Sequence, residues 1–509
     1  MAAQAARPTD RLFWLVVLLV GVIVLAVVLG LQLFPRLSAG NQVLNNARPA
    51  FTAERVAGDR AGIGFVSTAV DLVDPLVTAD GAAAEIPALI DFAEQRTGLS
   101  EATIMTLLQN GFPHTTGLLA ALPLSEVNAE LPGLVAFLSE NLNLTPEEVT
   151  AAIAENFPQL NQSIEALPTV VAGWNDVPGI EGLTRFNGDV VTTTPQLRDY
   201  FRDDVITAVE SQQAAFQRLD TTWPPVNWIP PLLTFLGIAV MIFGAVMIAL
   251  SRAANLPPAA SILTWSIVAV LGLVVLLLVL GLQLYPRLNA GDQVLDGLRP
   301  AFTAQRVAGD RAGINFVSEV VDLADPLITA EGAAAEVPQL IAFASERTGL
   351  PQATILNLVQ NSFPHTAGLL AALPLTELNA EMPRLMDFLA TNLGLTPEEL
   401  SAALGENFPQ LTQAITALDP VANGWNSLPV EGLTRFNGEP VTTVPQLRTY
   451  LSEDVIPVLE GQQAAFQRLD TTWPSLVFFP PLLTVVGLIV LLYGILMVLL
   501  AKGRSAAVT

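Results

Sequence analysis

The sequence is poor in reactive side chains: in 509 residues there is no cysteine, one lysine, two histidines and four tyrosines. Without cysteine there are no disulfide staples, thiolate metal sites, thiol nucleophile or lipoprotein anchor, and the chain suits an oxidising compartment. Basic residues are scarce, 23 Lys and Arg against 47 Asp and Glu, for a formal net charge of −24. So acidic a chain repels phosphate backbones, which excludes nucleic acid as a partner. Catalytic signatures are missing as well: there is no phosphate-loop lysine motif, no G-x-S-x-G and no H-E-x-x-H. Paired acids such as Glu147-Glu148 and Asp203-Asp204 fall at helix starts or on polar faces, where carboxylates are ordinarily solvated. Neither enzymatic activity nor a cofactor is expected.

Asp, Glu, Lys, Arg and His are absent altogether from four blocks, 12–34, 230–250, 262–285 and 480–501, in a chain whose mean hydropathy is +0.51. An apolar helix of ~20 residues crosses a bilayer core of ~30 Å, so each block is expected to be a transmembrane helix. The first is too long for the core of a signal peptide, and its near-copy at 262–285 lies mid-chain, so it reads as an uncleaved span. Because ion and proton paths need ionisable groups at membrane depth, the spans read as a packed anchor. Gly21, Gly30, Gly272 and Gly281, with Gly237, Gly244, Gly487 and Gly494, are expected to mark close helix contacts within it.

Outside the two long loops the basic residues are Arg7, Arg11, Arg252, Lys502 and Arg504, against one acid, Asp10. The positive-inside rule then puts residues 1–11, 251–261 and 502–509 in the cytoplasm and the loops 35–229 and 286–479 outside the plasma membrane. Trp223, Trp228 and Tyr285 fall near the outer interface, as in an aromatic belt.

What the chain does have is repetition. Residues 31–67 match 282–318 at 29 of 37 positions, and the correspondence continues to TWPPVNWIPPLLT at 222–234 and TWPSLVFFPPLLT at 472–484. Each copy reads as span, outer domain, span, with both copies in one orientation and related by a pseudo-two-fold axis along the membrane normal. A shorter repeat lies inside each domain. EIPALIDFAEQRTGLSEATIMTLLQNGFP at 85–113 returns at 130–158, 336–364 and 381–409. Leu89, Phe92 and Ala93, then Ile104, Leu107 and Leu108, keep helical spacing, and Thr145-Pro146-Glu147-Glu148 reads as a capped helix start. Each unit of ~45 residues is expected to be a helical hairpin ended by Phe-Pro.

Beyond the hairpins, 182–188 reads as an ordered loop, 190–194 as a weak strand, and 195–220 as a long amphipathic helix. Together with a helical 41–55, that helix is expected to form a stalk near the membrane. Pro35 and Pro286 suit a bend at the membrane exit, with Arg36 and Arg287 placed to reach lipid headgroups. The fold class is therefore all-α, an integral membrane protein with two homologous extracytoplasmic helical domains.

Six residues are candidates for ligand or partner contacts. His114 and His365, the only histidines, fall at equivalent places and would form a pair if the pseudo-two-fold axis brought them together; the ordinary alternative is a capping or surface role. Phe112 and Phe363 either line an apolar cavity or anchor hairpin cores. Trp174 and Trp425 either hold a ligand or pin their loops. No catalytic, metal or cofactor-binding residue is expected. The chain reads as a scaffold or partner-binding surface in a cell-envelope assembly, in contact with membrane lipids and a protein partner. The alternative is a carrier or tunnel in which an apolar cavity holds lipid or another hydrophobic ligand.

Overall fold

A computed structural model describes residues 8–220, 226–253, 258–469 and 476–506. Trp223 and Arg7 lie outside the described residues. The chain is all-helical, 83% helix, with no strand among the described residues. In the first half the helices are α1 (Pro8–Gly30), α2 (Leu33–Ala47), α3 (Ala53–Val77), α4 (Ala82–Thr97), α5 (Glu101–Gly111) and α6 (Pro113–Ala121). They continue with α7 (Leu124–Leu142), α8 (Pro146–Asn156), α9 (Pro158–Gly173), α10 (Thr194–Asp199), α11 (Ile206–Leu219) and α12 (Ile229–Ala253). The second half opens with α13 (Pro258–Gly281), α14 (Leu284–Leu298), α15 (Ala304–Ile328), α16 (Ala333–Thr348), α17 (Gln352–Ser362) and α18 (Pro364–Ala372). It closes with α19 (Leu375–Leu393), α20 (Pro397–Asn407), α21 (Pro409–Gly424), α22 (Val444–Thr449), α23 (Ile456–Leu469) and α24 (Phe479–Ala506).

Four helices are long and apolar enough to cross a membrane, over Leu12–Gly30, Ile229–Ser251, Ala260–Gly281 and Phe479–Gly503. They belong to the first of two compact units, residues 1–53, 208–304 and 458–509. Glycines set the pairing within it. A Cβ on Gly21 would stand 2.6 Å from the Met241 nitrogen, and one on Gly494 would stand 2.5 Å from that of Ala269, so α1 meets α12 and α13 meets α24 backbone to backbone. Gly30 and Gly281, expected to do the same, face no neighbour. Trp14 stacks on Trp265 at 3.8 Å between the two pairs.

The join between α1 and α2 is sharper than a proline bend. Gln32, like Gln283 ahead of α14, takes a left-handed conformation at φ 49° and 50°, and Pro35 follows in the first turn of the new helix. A residue with a Cβ is strained there by about 1 kcal/mol, so Gln32→Gly and Gln283→Gly should each raise the denaturation midpoint of the solubilised chain. Arg36 and Arg287, expected to reach lipid headgroups, are buried instead, each 4% exposed. Both follow the break within one turn, which turns them inward, and burial lowers the pKa of Arg287. The helix expected through Pro49 ends at Ala47, since proline has no N–H to continue it. Phe51 nevertheless stacks on Phe216 at 4.3 Å, and Arg48 pairs with Asp220 at 2.6 Å.

The second unit comprises Glu54–Thr207 and Gln305–Pro457. Hairpins of both halves of the chain share this one compact body with one apolar core. The Phe-Pro steps behave as read. Phe112 closes α5 and Pro113 opens α6, while Thr145 and Glu148 form a reciprocal capping box. The weak strand at 190–194 is reduced to a single bridge, Thr184 to Val190. The long amphipathic helix runs from α10 to α11 through a π-helical turn, Tyr200–Val205, with a counterpart at Tyr450–Val455.

Candidate functional site

The repeated motif turns out to be a latch between the halves. Glu381 accepts from the backbone N–H groups of His114 at 3.3 Å and Thr115 at 2.9 Å, and from the Thr115 hydroxyl at 2.9 Å. Glu130 does the same for His365 and Thr366 at 3.2 and 2.7 Å. Glu336 caps Gln159 and Leu160, and Glu85 caps Gln410 and Leu411. Each carboxylate thus satisfies the open N–H groups of a helix whose first residue is the proline of a Phe-Pro step. Seven residues after each Glu, a Phe packs on the Phe of that same step: Phe388 on Phe112, Phe137 on Phe363, Phe343 on Phe157 and Phe92 on Phe408. All four latches join one half of the chain to the other.

Glu381 is 3% exposed, so its removal leaves two N–H groups and a hydroxyl without their acceptor. Glu381→Ala should lower unfolding free energy by about 2–3 kcal/mol, and Glu381→Gln, which keeps an acceptor, by roughly half as much. A urea titration of both variants checks the order.

The sequence-predicted candidates can now be placed. His114 and His365 sit one residue into α6 and α18, where their backbone N–H groups are latched and each Nδ1 is buried without a hydrogen-bond partner among the described residues. Phe112 and Phe363 are the aromatic half of two latches. Trp174 is fully buried and donates from Nε1 to Asp74 at 2.7 Å, while its carbonyl receives Thr194. Trp425 donates likewise to Asp325 at 2.7 Å. Trp174 thus ties the end of α9 to α3, and Trp425 ties the end of α21 to α15. Among the described residues no three His, Asp or Glu groups are arranged to hold a metal.

A second pair of sites was not singled out from the sequence. Asp310 on α15 receives the Tyr200 hydroxyl at 2.7 Å, and Asp59 on α3 receives that of Tyr450 at 2.8 Å. Each tyrosine opens a π-helical turn and comes from the half opposite its aspartate. Arg306 lies 4.6 Å over the Phe186 ring and donates to the carbonyls of Thr184 and Arg185 at 2.6 and 3.2 Å. Arg55 lies likewise 4.7 Å over the Phe436 ring and donates to the Thr434 hydroxyl at 3.1 Å and the Arg435 carbonyl at 3.4 Å. Arg185 is in turn held by Asp204, and Arg435 by Asp454, at 2.9 Å. Gly58 and Gly309 leave room for Leu433 and Leu183, so the loops seat directly on α3 and α15.

Burial pushes the Asp310 carboxyl up to about 7 and that of Asp59 up to about 6, even though a tyrosine hydroxyl and an arginine favour the anion at each. Asp310 is the more deeply buried, at 4% exposed, which accounts for the order. Burial and the neighbouring carboxylate raise both tyrosines, so they remain O–H donors. The signal for these sites was present in the sequence: R-V-A-G-D-R occurs at 55–60 and again at 306–311, and two of the four tyrosines fall at equivalent places. Nothing local joins an aspartate to a tyrosine in the other half of the chain.

Between α3 and α15 lies an apolar slot of about 70 Å³, with Trp425 and Leu118 among its walls. Leu323, Leu327 and Leu369 also wall a second apolar cavity of about 60 Å³ beside it. An empty void of the first size costs on the order of 2 kcal/mol. Neither Phe112 nor Phe363 lines the slot. No family model, curated protein or solved structure matches this chain.

Proposed function

We propose that the chain is a non-catalytic, multi-pass membrane protein whose latched helical body lies outside the cytoplasm and serves as a rigid binding platform for a protein partner in an envelope assembly. The observation that carries this reading is the set of four reciprocal latches: a body locked across both halves of the chain holds its outer faces in fixed relation. The partner's face is basic. No Lys or Arg occurs between Arg96 and Arg185, and Glu101, Glu126, Glu140, Glu147 and Glu155 are all exposed along that stretch. The repeat and the paired contacts also favour a pseudo-two-fold arrangement, with both termini in the cytoplasm. A carrier needs a pocket of several hundred Å³ or more. The slot is far smaller, which supports the platform over the carrier.

Two experiments test the parts separately. The natural absence of cysteine allows single-cysteine variants at the exposed positions Asn187 and Lys502. Asn187→Cys should react with a membrane-impermeant maleimide in intact cells, and Lys502→Cys only after permeabilisation; the opposite pattern reverses the topology. Crosslinking in native membranes should recover a protein with a basic surface whose capture weakens with salt. Recovery of lipid alone removes the platform reading.

A further inference from the structure

The slot between α3 and α15 has a shape as well as a volume. Its walls run from Phe65 to Leu76 on α3 and from Val317 to Ile328 on α15. At 1.5 Å per residue that is a length of roughly 16 Å. About 70 Å³ spread along that length is narrow. Equivalent residues face it from both halves, among them Val66, Val70 and Val73 from α3 with Val317, Val321 and Ala324 from α15. Its lining is apolar throughout. The one hydroxyl-bearing residue in its wall, Thr194, already gives its hydroxyl to the Trp174 carbonyl.

Water needs two or more polar partners to occupy a buried void, and none is offered here. A ring system needs a compact chamber, and the slot is long and thin. We infer that the slot takes a single unbranched alkyl chain, lying lengthwise between α3 and α15. Four apolar helices long enough to span a bilayer keep the same chain in contact with such molecules. Leu323, Leu327 and Leu369 line both the slot and the neighbouring cavity, so a second apolar space adjoins the first. The occupant is a resident chain that fills the void, a role distinct from transport.

The test uses the full-length protein in phosphatidylcholine vesicles containing a fatty acid with a diazirine near the chain end. After irradiation and digestion, label should appear on peptides of α3 and α15 as well as on the spanning helices, which serve as the internal control. Ala69→Phe with Ala324→Phe fills the slot and should cut the α3 and α15 label by about tenfold while span labelling stays unchanged. Should that variant fail to fold, Val70→Ala with Val321→Ala widens the same slot and should increase labelling there. A phospholipid carrying the same diazirine chain distinguishes the source: label from both probes indicates a lipid tail, and label from the acid alone indicates a free fatty acid. Label confined to the spanning helices overturns the inference. So does α3 and α15 labelling that a folded filling variant leaves intact or that the widening variant fails to raise.

Discussion

Gly117→Ala should destabilise the latched body by about 3 kcal/mol or more, a large effect for one methyl group. The reason is where α6 meets α18. A Cβ on Gly117 would stand 2.7 Å from the backbone nitrogen of Ala372 and 2.8 Å from the carbonyl oxygen of Gly368. Gly368 faces Ala121 and Gly117 in the same way. Backbone atoms of a packed helix cannot swing aside as a leucine terminus can, so the two helices must separate. Separation in turn draws the latched N-termini of α6 and α18 away from Glu381 and Glu130. The double variant with Gly368→Ala should cost less than twice the single change, because one contact is lost rather than two. Gly405→Ala is the control. It lies in α20 with nothing within 4 Å, so alanine there should stabilise the helix by about 0.5–1 kcal/mol. Urea midpoints for the two variants should therefore move in opposite directions. Equal shifts would mean that α6 and α18 do not meet in this way.

The second large effect is a dependence on pH that runs against the usual carboxylate trend. In the folded chain Asp59 and Asp310 are held near 6 and 7, above the ordinary value of 3.8. Between about pH 4 and pH 7 the unfolded chain has released protons that the folded chain still holds. Folding is therefore favoured at low pH with respect to these two groups, and that advantage is lost as pH rises through 6 and then 7. Converted at 1.36 kcal/mol per unit, the losses reach about 3 kcal/mol for Asp59 and about 4 kcal/mol for Asp310, as upper values. Asp454, lowered chiefly by its hydrogen bonds from Arg435, works in the opposite sense. So does Asp203, lowered chiefly by Arg202. Their contributions are complete above about pH 4 and fade only below it, so the two effects separate on the pH axis. Asp59→Asn with Asp310→Asn keeps an acceptor for each tyrosine hydroxyl and removes the titration. Stability of the parent should fall between about pH 4 and pH 7, while that of the double variant falls much less. A slope equal in both proteins would refute the assignment.

The consequences of these two contacts reach the same body by different routes. The glycine crossing and the four latches hold the hairpins of one half on those of the other. The aspartate–tyrosine pairs hold the loops 182–190 and 432–440 and their π-helical turns on α3 and α15. Acid pH and intact glycines are the conditions under which this latched body should be most stable, so the proposed partner capture is best compared at pH 5 and pH 8.

Features under local chemical control were legible in the residues. A run of 20 or more apolar residues without charge favours a continuous helix, and the four helices long and apolar enough to cross a membrane follow. Proline after phenylalanine cannot continue a helix, and threonine three residues before glutamate caps one, so the starts of α6, α8 and their counterparts were legible. Among the four apolar helices, Gly21, Gly244, Gly272 and Gly494 were correctly read as contacts, because small residues on an apolar helix have few other uses. The tertiary structure decided everything that joins residues far apart in the chain. Glu381 lies 266 positions from Thr115, and Asp59 lies 391 from Tyr450. A repeat makes such pairings ambiguous in principle, since each Glu could cap the Phe-Pro helix of its own half or of the other, with the same residue types and spacing. Only packing of the two halves into one body selects the second choice, and with it the slot and the buried carboxyls.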